Sequence, residues 1–196
     1  MNQIKIGVIG ASGNIGRYTH CENIVKYTDG AVLTAVSSSS KASVQKIADH
    51  YCVQAMENAE ELITSDQVDA VLICSSNETH VPYTIRCLEE GKPVFLEKPM
   101  ANTLEEAQLL LEAEKKAGEH MVQIGFMRRF DRSFQRGKMM LDQGMIGEVT
   151  MIRSNTYGPS EPKEWMYDVH KNYGPLGEVN SHDFDSRAQM THVMQA

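Results

Sequence analysis

"IKIGVIGASGNIGR", residues 4–17, decides how this chain folds. Ile4, Ile6, Val8 and Ile9 form a β-rich apolar run. The chain then turns on Gly10, Gly13 and Gly16 and enters a helical stretch to about Tyr27. Glycine tolerates backbone angles that other residues avoid, and it lets a backbone approach a ligand closely. The amides and dipole of the following helix favour an anionic group at the turn, such as a pyrophosphate. The spacing, G-x-x-G-x-x-G, is one residue longer than the G-x-G-x-x-G fingerprint. Glycines alone indicate only a tight turn; their place in the first βα unit raises the expectation of nucleotide binding. Gly10, Ser12, Gly13, Asn14 and Ile15 are the residues expected to hold the nucleotide there.

Strand and helix signals alternate beyond this turn. "AVLTAVS" (31–37) reads as a strand and "KASVQKIADHY" (41–51) as a helix. "VDAVLICS" (68–75) is continuously apolar, as in a strand covered on both faces. A helix follows through "YTIRCLEE" and stops at Gly91. "PVFLEK" reads as another buried strand. The next helix has Thr103 and Glu106 in capping-box spacing, with Leu104, Ala107, Leu110 and Leu111 on one face. Gly118 closes it, and "HMVQIGF" (120–126) makes a further strand. Repeated βα units imply an α/β, Rossmann-type, doubly wound parallel sheet with right-handed crossovers over residues 1–126.

The pattern changes after Met127. "FDRSFQRGKMMLDQG" reads as a helix, "GEVTMIRSNTY" (147–157) as a long strand, 158–177 as loop, and a last helix starts at about His182. One strand and two helices over residues 127–196 make a poor domain of their own. A long strand with no successor to pair with is an exposed edge, which predicts self-association into a homo-oligomer.

Composition narrows the function classes. Hydrophobic content of 41% and charged content of 23% over 196 residues describe a globular chain. The net charge of −7, with basic residues scattered apart from Arg128-Arg129, argues against nucleic-acid binding. A strand beginning at about Gln3 leaves no room for a signal peptide, and no apolar run approaches the ~18 residues of a membrane span. Cys21, Cys52, Cys74 and Cys87 lack metal-ligand spacing and read as free cytosolic thiols. A cytoplasmic protein with a small-molecule partner and no metal is expected.

Ligands of such sheets bind at the carboxyl ends of the strands, here Gly10, Ser37, Ser75 and Glu97-Lys98. The second strand ends in Val36-Ser37-Ser38 with no carboxylate for an NAD ribose. Serine hydroxyls with Lys41 suit a 2′-phosphate, which favours NADP(H) over NAD(H); the same serines also suit an N-cap cluster. Lys98 projects into the crevice where a nicotinamide would lie, and Pro99 restricts it to an extended conformation. A solvated lysine at a strand end is the alternative.

With these residues in view, the chain resembles the Gfo/Idh/MocA oxidoreductases (glucose–fructose oxidoreductase, inositol dehydrogenase and relatives). The resemblance runs in order through "GVIGASGNIG", "VDAVLICSSNETH" (68–80), "GKPVFLEKPMA" (91–101), "GFMRRFD" (125–131) and "GEVNSHDFD" (177–185). It implies an NAD(P)-dependent enzyme passing hydride between a nicotinamide and a sugar, polyol or related hydroxy/keto substrate. It also implies that Lys98 is catalytic and that His182 is its partner. The family usually carries an aspartate four residues before that histidine, where this chain has Glu178. Ser76 stands in place of a family proline ahead of the crevice residues Asn77 and His80. Ser75, Asn77, His80, Glu97, Lys98 and Arg128 complete the cofactor-side candidates.

The residues of "EVNSHDFD" read the same way. Glu178 and His182, four apart, share a helix face, and a carboxylate can orient a histidine that exchanges a hydroxyl proton. A helix cap at Asn180, Ser181 or Asp183, or a metal pair, is the alternative. The resemblance further implies that residues 127–196 are the incomplete start of an α+β substrate and oligomerisation domain, whose open sheet continues beyond this chain's last helix. A nucleotide-binding module without turnover, serving as a sensor or interaction module, is therefore the second functional reading.

Overall fold

The computed structural model describes residues 3–118, 120–156, 161, 164–168, 174, 177 and 179–191. Glu178 lies outside the described residues. The chain divides into two units, Met1–Ile124 and Gly125–Ala196.

The first unit carries strands β1 (Ile4–Ile9), β2 (Ala31–Ser37), β3 (Gln54–Ala55), β4 (Ala70–Ile73), β5 (Val94–Leu96) and β6 (Val122–Ile124). They form one sheet in the order β3-β2-β1-β4-β5-β6, with every neighbouring pair parallel. The chain winds outward from β1 to β3, crosses back to β4 on the other side of β1, and winds outward again. The strand order therefore reverses between β1 and β4, where such sheets open a crevice at their carboxyl ends.

Alternation along the strands explains the apolar runs. Val8 and Leu72 pack with Leu33, Val36 and Ile47 on one face of the sheet. Ile9, Val71 and Ile73 pack with Leu62, Ile63 and Leu96 on the other. Both faces are covered, so β4 has no polar side to show. Each such side chain contributes roughly 1.5–3 kcal/mol through its burial.

Helices α1 (Glu22–Tyr27), α2 (Lys41–Tyr51), α3 (Ala59–Thr64), α4 (His80–Glu89) and α5 (Leu104–Ala117) supply that cover. A π-helical turn, Gly16–Cys21, leads into α1, and residues 14–27 are continuously helical. Ser40 caps α2 by accepting from the Ser43 amide at 3.4 Å, so the capping role in the serine cluster falls to Ser40. Thr103 caps α5, accepting from the Glu106 amide at 3.1 Å, while the Glu106 carboxylate accepts from the Asn102 amide at 2.8 Å. The four cysteines are free thiols. Among the described residues no helix is long and apolar enough to cross a membrane.

Two expectations about elements are corrected. The apolar face of α5 is narrower than its leucines imply. Leu110 is buried and Ala113 packs against the core, whereas Leu104 is 69% and Leu111 48% exposed. One residue along a helix is a rotation of about 100°, which carries Leu111 away from the face that holds Leu110. The long strand expected over 147–157 is also absent: residues 149–156 belong to no regular element, and Tyr157 lies outside the described residues. A strand persists by pairing, and among the described residues of the second unit no partner strand is present. The edge argument for a homo-oligomer loses its strand with it.

The second unit carries α6 (Arg132–Asp142) and α7 (Ser181–Thr191). Asp131 caps α6, its carboxylate accepting from the Ser133 and Phe134 amides at 2.8 and 3.2 Å.

Candidate functional site

A cavity of about 470 Å³ opens at the carboxyl ends of β1, β2 and β4. Gly10, Ser12, Gly13, Ser37, Ser38 and Ser75, all expected from the sequence, line it. The three glycines of the turn have different duties. Gly10 has φ +88°, and a Cβ there would lie 2.6 Å from the Cys74 and Ser75 backbone. A Cβ on Gly16 would lie 2.5 Å from the Gly10 carbonyl oxygen. Gly13 is different: its Cβ would meet only that same oxygen, at 3.4 Å. Gly10 and Gly16 are required for the helix to pack on the strand ends. Gly13 keeps open space that protein atoms do not use.

The turn is pinned to β2 by the Gly10 and Ala11 amides, which donate to the Ser37 carbonyl at 3.0 and 3.1 Å. The Ser12 and Ser38 hydroxyls are hydrogen-bonded across the same mouth. The Ser37 hydroxyl is buried in the cavity wall and has no hydrogen-bond partner among the described residues. A glycine cradle, a helix start and the Ser12 and Ser38 hydroxyls at the mouth fit a dinucleotide's phosphates and ribose.

The sequence reading missed a carboxylate here. Glu57, after β3, lines the cavity beside Ser38, and its carboxylate pairs with Lys41. The hydrogen bond and charge of Lys41 hold the Glu57 carboxyl below its usual range. Lys41 does not line the cavity; its side chain is 75% exposed. The signal was the capping pattern Asn58-x-x-Glu61 that starts α3, where Asn58 accepts from the Glu61 amide at 2.9 Å.

Lys98 follows β5, whose end is anchored by the Glu97 amide donating to the Ile73 carbonyl at 2.9 Å. Lys98 is half-buried, and the Lys98–Pro99 peptide is cis. His80 was expected to touch the cofactor. Its ring is instead 1% exposed, with Nδ1 2.8 Å from the Pro99 carbonyl oxygen and Nε2 3.2 Å from that of Ser75. It braces the lysine's turn against the end of β4. Glu97 likewise does not line the cavity: Oε1 lies 2.7 Å from His20 Nε2, and Oε2 accepts from the Lys98 amide at 3.2 Å. Burial pushes the Glu97 carboxyl upward, but His20 and Lys98 together outweigh it and hold the group below its usual range. His20 was missed, although it stands four residues after Gly16 on the same helix. Asn14, Ile15 and Asn77 do not line the cavity.

In the second unit, the expected cofactor residue Arg128 is engaged by Asp183, and its guanidinium also donates to Thr156 at 3.2 Å. Burial pushes the Asp183 carboxyl up, but hydrogen bonds from Ser154, Arg128 and Thr156 bring it down to about 2. Arg129 grips Asp185 through Nε at 3.0 and 3.1 Å. The "RR" and "DFD" of the two motifs are thus ion-pair partners. His182 stands edge-on to Phe126, ring centroids 6.2 Å apart.

The family model described as "Oxidoreductase family, NAD-binding Rossmann fold" (Gfo/Idh/MocA) matches residues 4–126. The chain belongs to this Gfo/Idh/MocA family. Inositol 2-dehydrogenase of Agrobacterium fabrum is 37% identical over 165 residues, covering 83% of this chain and 48% of that protein. Inositol 2-dehydrogenase/D-chiro-inositol 3-dehydrogenase of Shouchella clausii is 40% identical over 152 residues, covering 76% of this chain and 43% of that protein. Scyllo-inositol dehydrogenase of Lactobacillus casei, solved with bound NAD(H) and scyllo-inositol, superposes with a TM-score of 0.86 at 30% identity, covering 97% of this chain and 57% of that one. This Gfo/Idh/MocA chain spans about half the length of the curated relatives it matches.

Proposed function

We propose that the chain binds a nicotinamide dinucleotide in the cavity at Gly10–Gly13 and serves hydride transfer to and from a cyclic polyol of the inositol class. The observation that carries this reading is the cavity itself: a glycine cradle at the point where the strand order reverses, with Lys98 at the end of the next strand but one from β1. The names of the relatives supply the polyol class. When bound, the nicotinamide accepts or returns a hydride. Lys98 takes the proton of the reacting hydroxyl as the C–H bond yields its hydride, leaving a ketone, and returns that proton in the reverse direction. We extend the proposal to His182 as a second proton-handling residue on the strength of its motif.

We further propose NAD(H) as the preferred dinucleotide. The expectation of NADP(H) rested on the Ser37 and Ser38 hydroxyls with Lys41; Glu57, which lines the cavity, pairs with Lys41 and offsets its charge. A 2′-phosphate is disfavoured there and ribose hydroxyls are favoured. Calorimetric titration with each dinucleotide, followed by myo-inositol oxidation monitored through reduced nicotinamide, tests both statements. Tighter NAD(H) binding with turnover is expected. Binding without turnover on any polyol would remove the catalytic reading, and no binding of either dinucleotide would remove the whole proposal.

A further inference from the structure

We propose that His20 is a positioning residue: by donating Nε2–H to Glu97 it fixes the carboxylate that holds the Lys98 backbone, and so ties the helix leaving the glycine turn to the acid/base lysine. The inference rests on the reading of Lys98 given above and adds a residue to it.

The geometry runs in one line. His20 Nε2 lies 2.7 Å from Glu97 Oε1, and the other carboxylate oxygen accepts from the Lys98 amide at 3.2 Å. Both side chains are largely withdrawn from water, at 13% and 20% exposure. The His20 ring also stands edge-on to Phe95 of β5, centroids 5.6 Å apart, which limits its rotation. A carboxyl held below its usual range is ionised at neutral pH and can only accept, so Nε2 must carry the proton. Among the described residues, Lys98 and Cys74 also interact electrostatically with Glu97.

The helix itself is shaped for this contact. His20 sits inside the π-helical turn Gly16–Cys21. A π turn widens the helix and changes the direction of the side chains it carries, and such turns gather at functional sites. The same helix begins at the glycine cradle, so one continuous helical segment spans from the dinucleotide seat to the Glu97 carboxylate. A buried pair of purely structural value would need no such link to the lysine.

The test uses the 196-residue chain with labelled histidine, glutamate and backbone amides, followed by nuclear magnetic resonance. In the unaltered chain the His20 ring should show a protonated Nε2. A ring protonated only on Nδ1 would overturn the proposal without any variant. His20→Leu removes the donor at similar volume. It should raise the titration midpoint of the Glu97 carboxyl and speed exchange of the Lys98 amide about tenfold or more, the amide having lost its fixed acceptor. His20→Gln keeps an N–H donor at similar reach and should restore Lys98 protection. Unchanged Glu97 and Lys98 signals in His20→Leu would refute the positioning role. A fall in stability alone, with those signals intact and no rescue by glutamine, would refute it equally. NAD(H) titration of the unaltered chain is the separate arm: its failure removes the proposed function, while the Glu97 and Lys98 readouts still decide the role of His20.

Discussion

Two alanine substitutions in the glycine turn separate folding from binding. At Gly10 an added Cβ meets backbone atoms of Cys74 and Ser75 at 2.6 Å, and the backbone has φ +88°. The left-handed conformation costs an alanine about 1–2 kcal/mol, and forcing a methyl against backbone atoms adds about 1–3 kcal/mol. Gly10→Ala should therefore lose roughly 2–5 kcal/mol of stability, a fall in Tm on the order of 10 °C for a unit of this size. At Gly13 the same methyl meets only the Gly10 carbonyl oxygen, at 3.4 Å, and the backbone needs no positive φ. Gly13→Ala should leave stability unchanged or raise it by about 0.4–1 kcal/mol through the unfolded chain. Its methyl, however, would occupy the space assigned to the pyrophosphate, so NAD(H) affinity should fall by about tenfold or more. Urea denaturation and calorimetric titration of both variants make the test. A Gly13→Ala chain that binds NAD(H) normally would refute the placement of the ligand. A Gly10→Ala chain as stable as the parent would refute the steric reasoning.

The other expected outcomes concern charge and catalysis. Glu57→Gln frees Lys41 and should shift preference toward NADP(H), while Ser38→Asp should shift it further toward NAD(H); competitive titration with the two dinucleotides reads both. Lys98→Met should nearly abolish polyol turnover while leaving NAD(H) affinity within about tenfold, because the phosphate seat lies at Gly10–Gly13, as steady-state rates beside a binding titration would show. Asp183 has its carboxyl lowered to about 2, so its partners stabilise the second unit fully above the ordinary carboxylate range. That stabilisation, on the order of 2 kcal/mol, should fade as pH drops from about 4 toward about 2. Asp183→Asn should flatten this acid limb in denaturation curves taken across that range.

Much of the first unit was legible because its signals are local. β2 and α2 fall on 31–37 and 41–51, where alternation, caps and apolar runs place them. The short β3 was not legible, since a two-residue strand carries no periodicity of its own, although the Asn58-x-x-Glu61 cap that starts α3 stood in view beside it. That gap hid Glu57, and with it the charge balance at Lys41. The serines at the end of β2 were visible, but their partners depend on which loops the sheet order brings together. His80 and Glu97 were recognised as important without their targets: both serve the turn around Lys98 through contacts distant in sequence. His20 escaped for the same reason, since its orientation depends on a π turn that no residue pattern announces. The segment 149–156 shows the reverse failure. Its β-rich composition is real, yet the described residues offer it no ladder, and Ser154 and Thr156 bind Asp183 instead.

The central claim, that a nicotinamide dinucleotide occupies the crevice at the ends of β1, β2 and β4, is tested most directly by following the backbone amide resonances of the chain during titration with NADH. The account predicts saturable shifts concentrated on Gly10, Ser12, Gly13, Ser38 and Ser75, with α5 unmoved. Shifts gathered elsewhere, or none as NADH is raised to millimolar concentration, would contradict it.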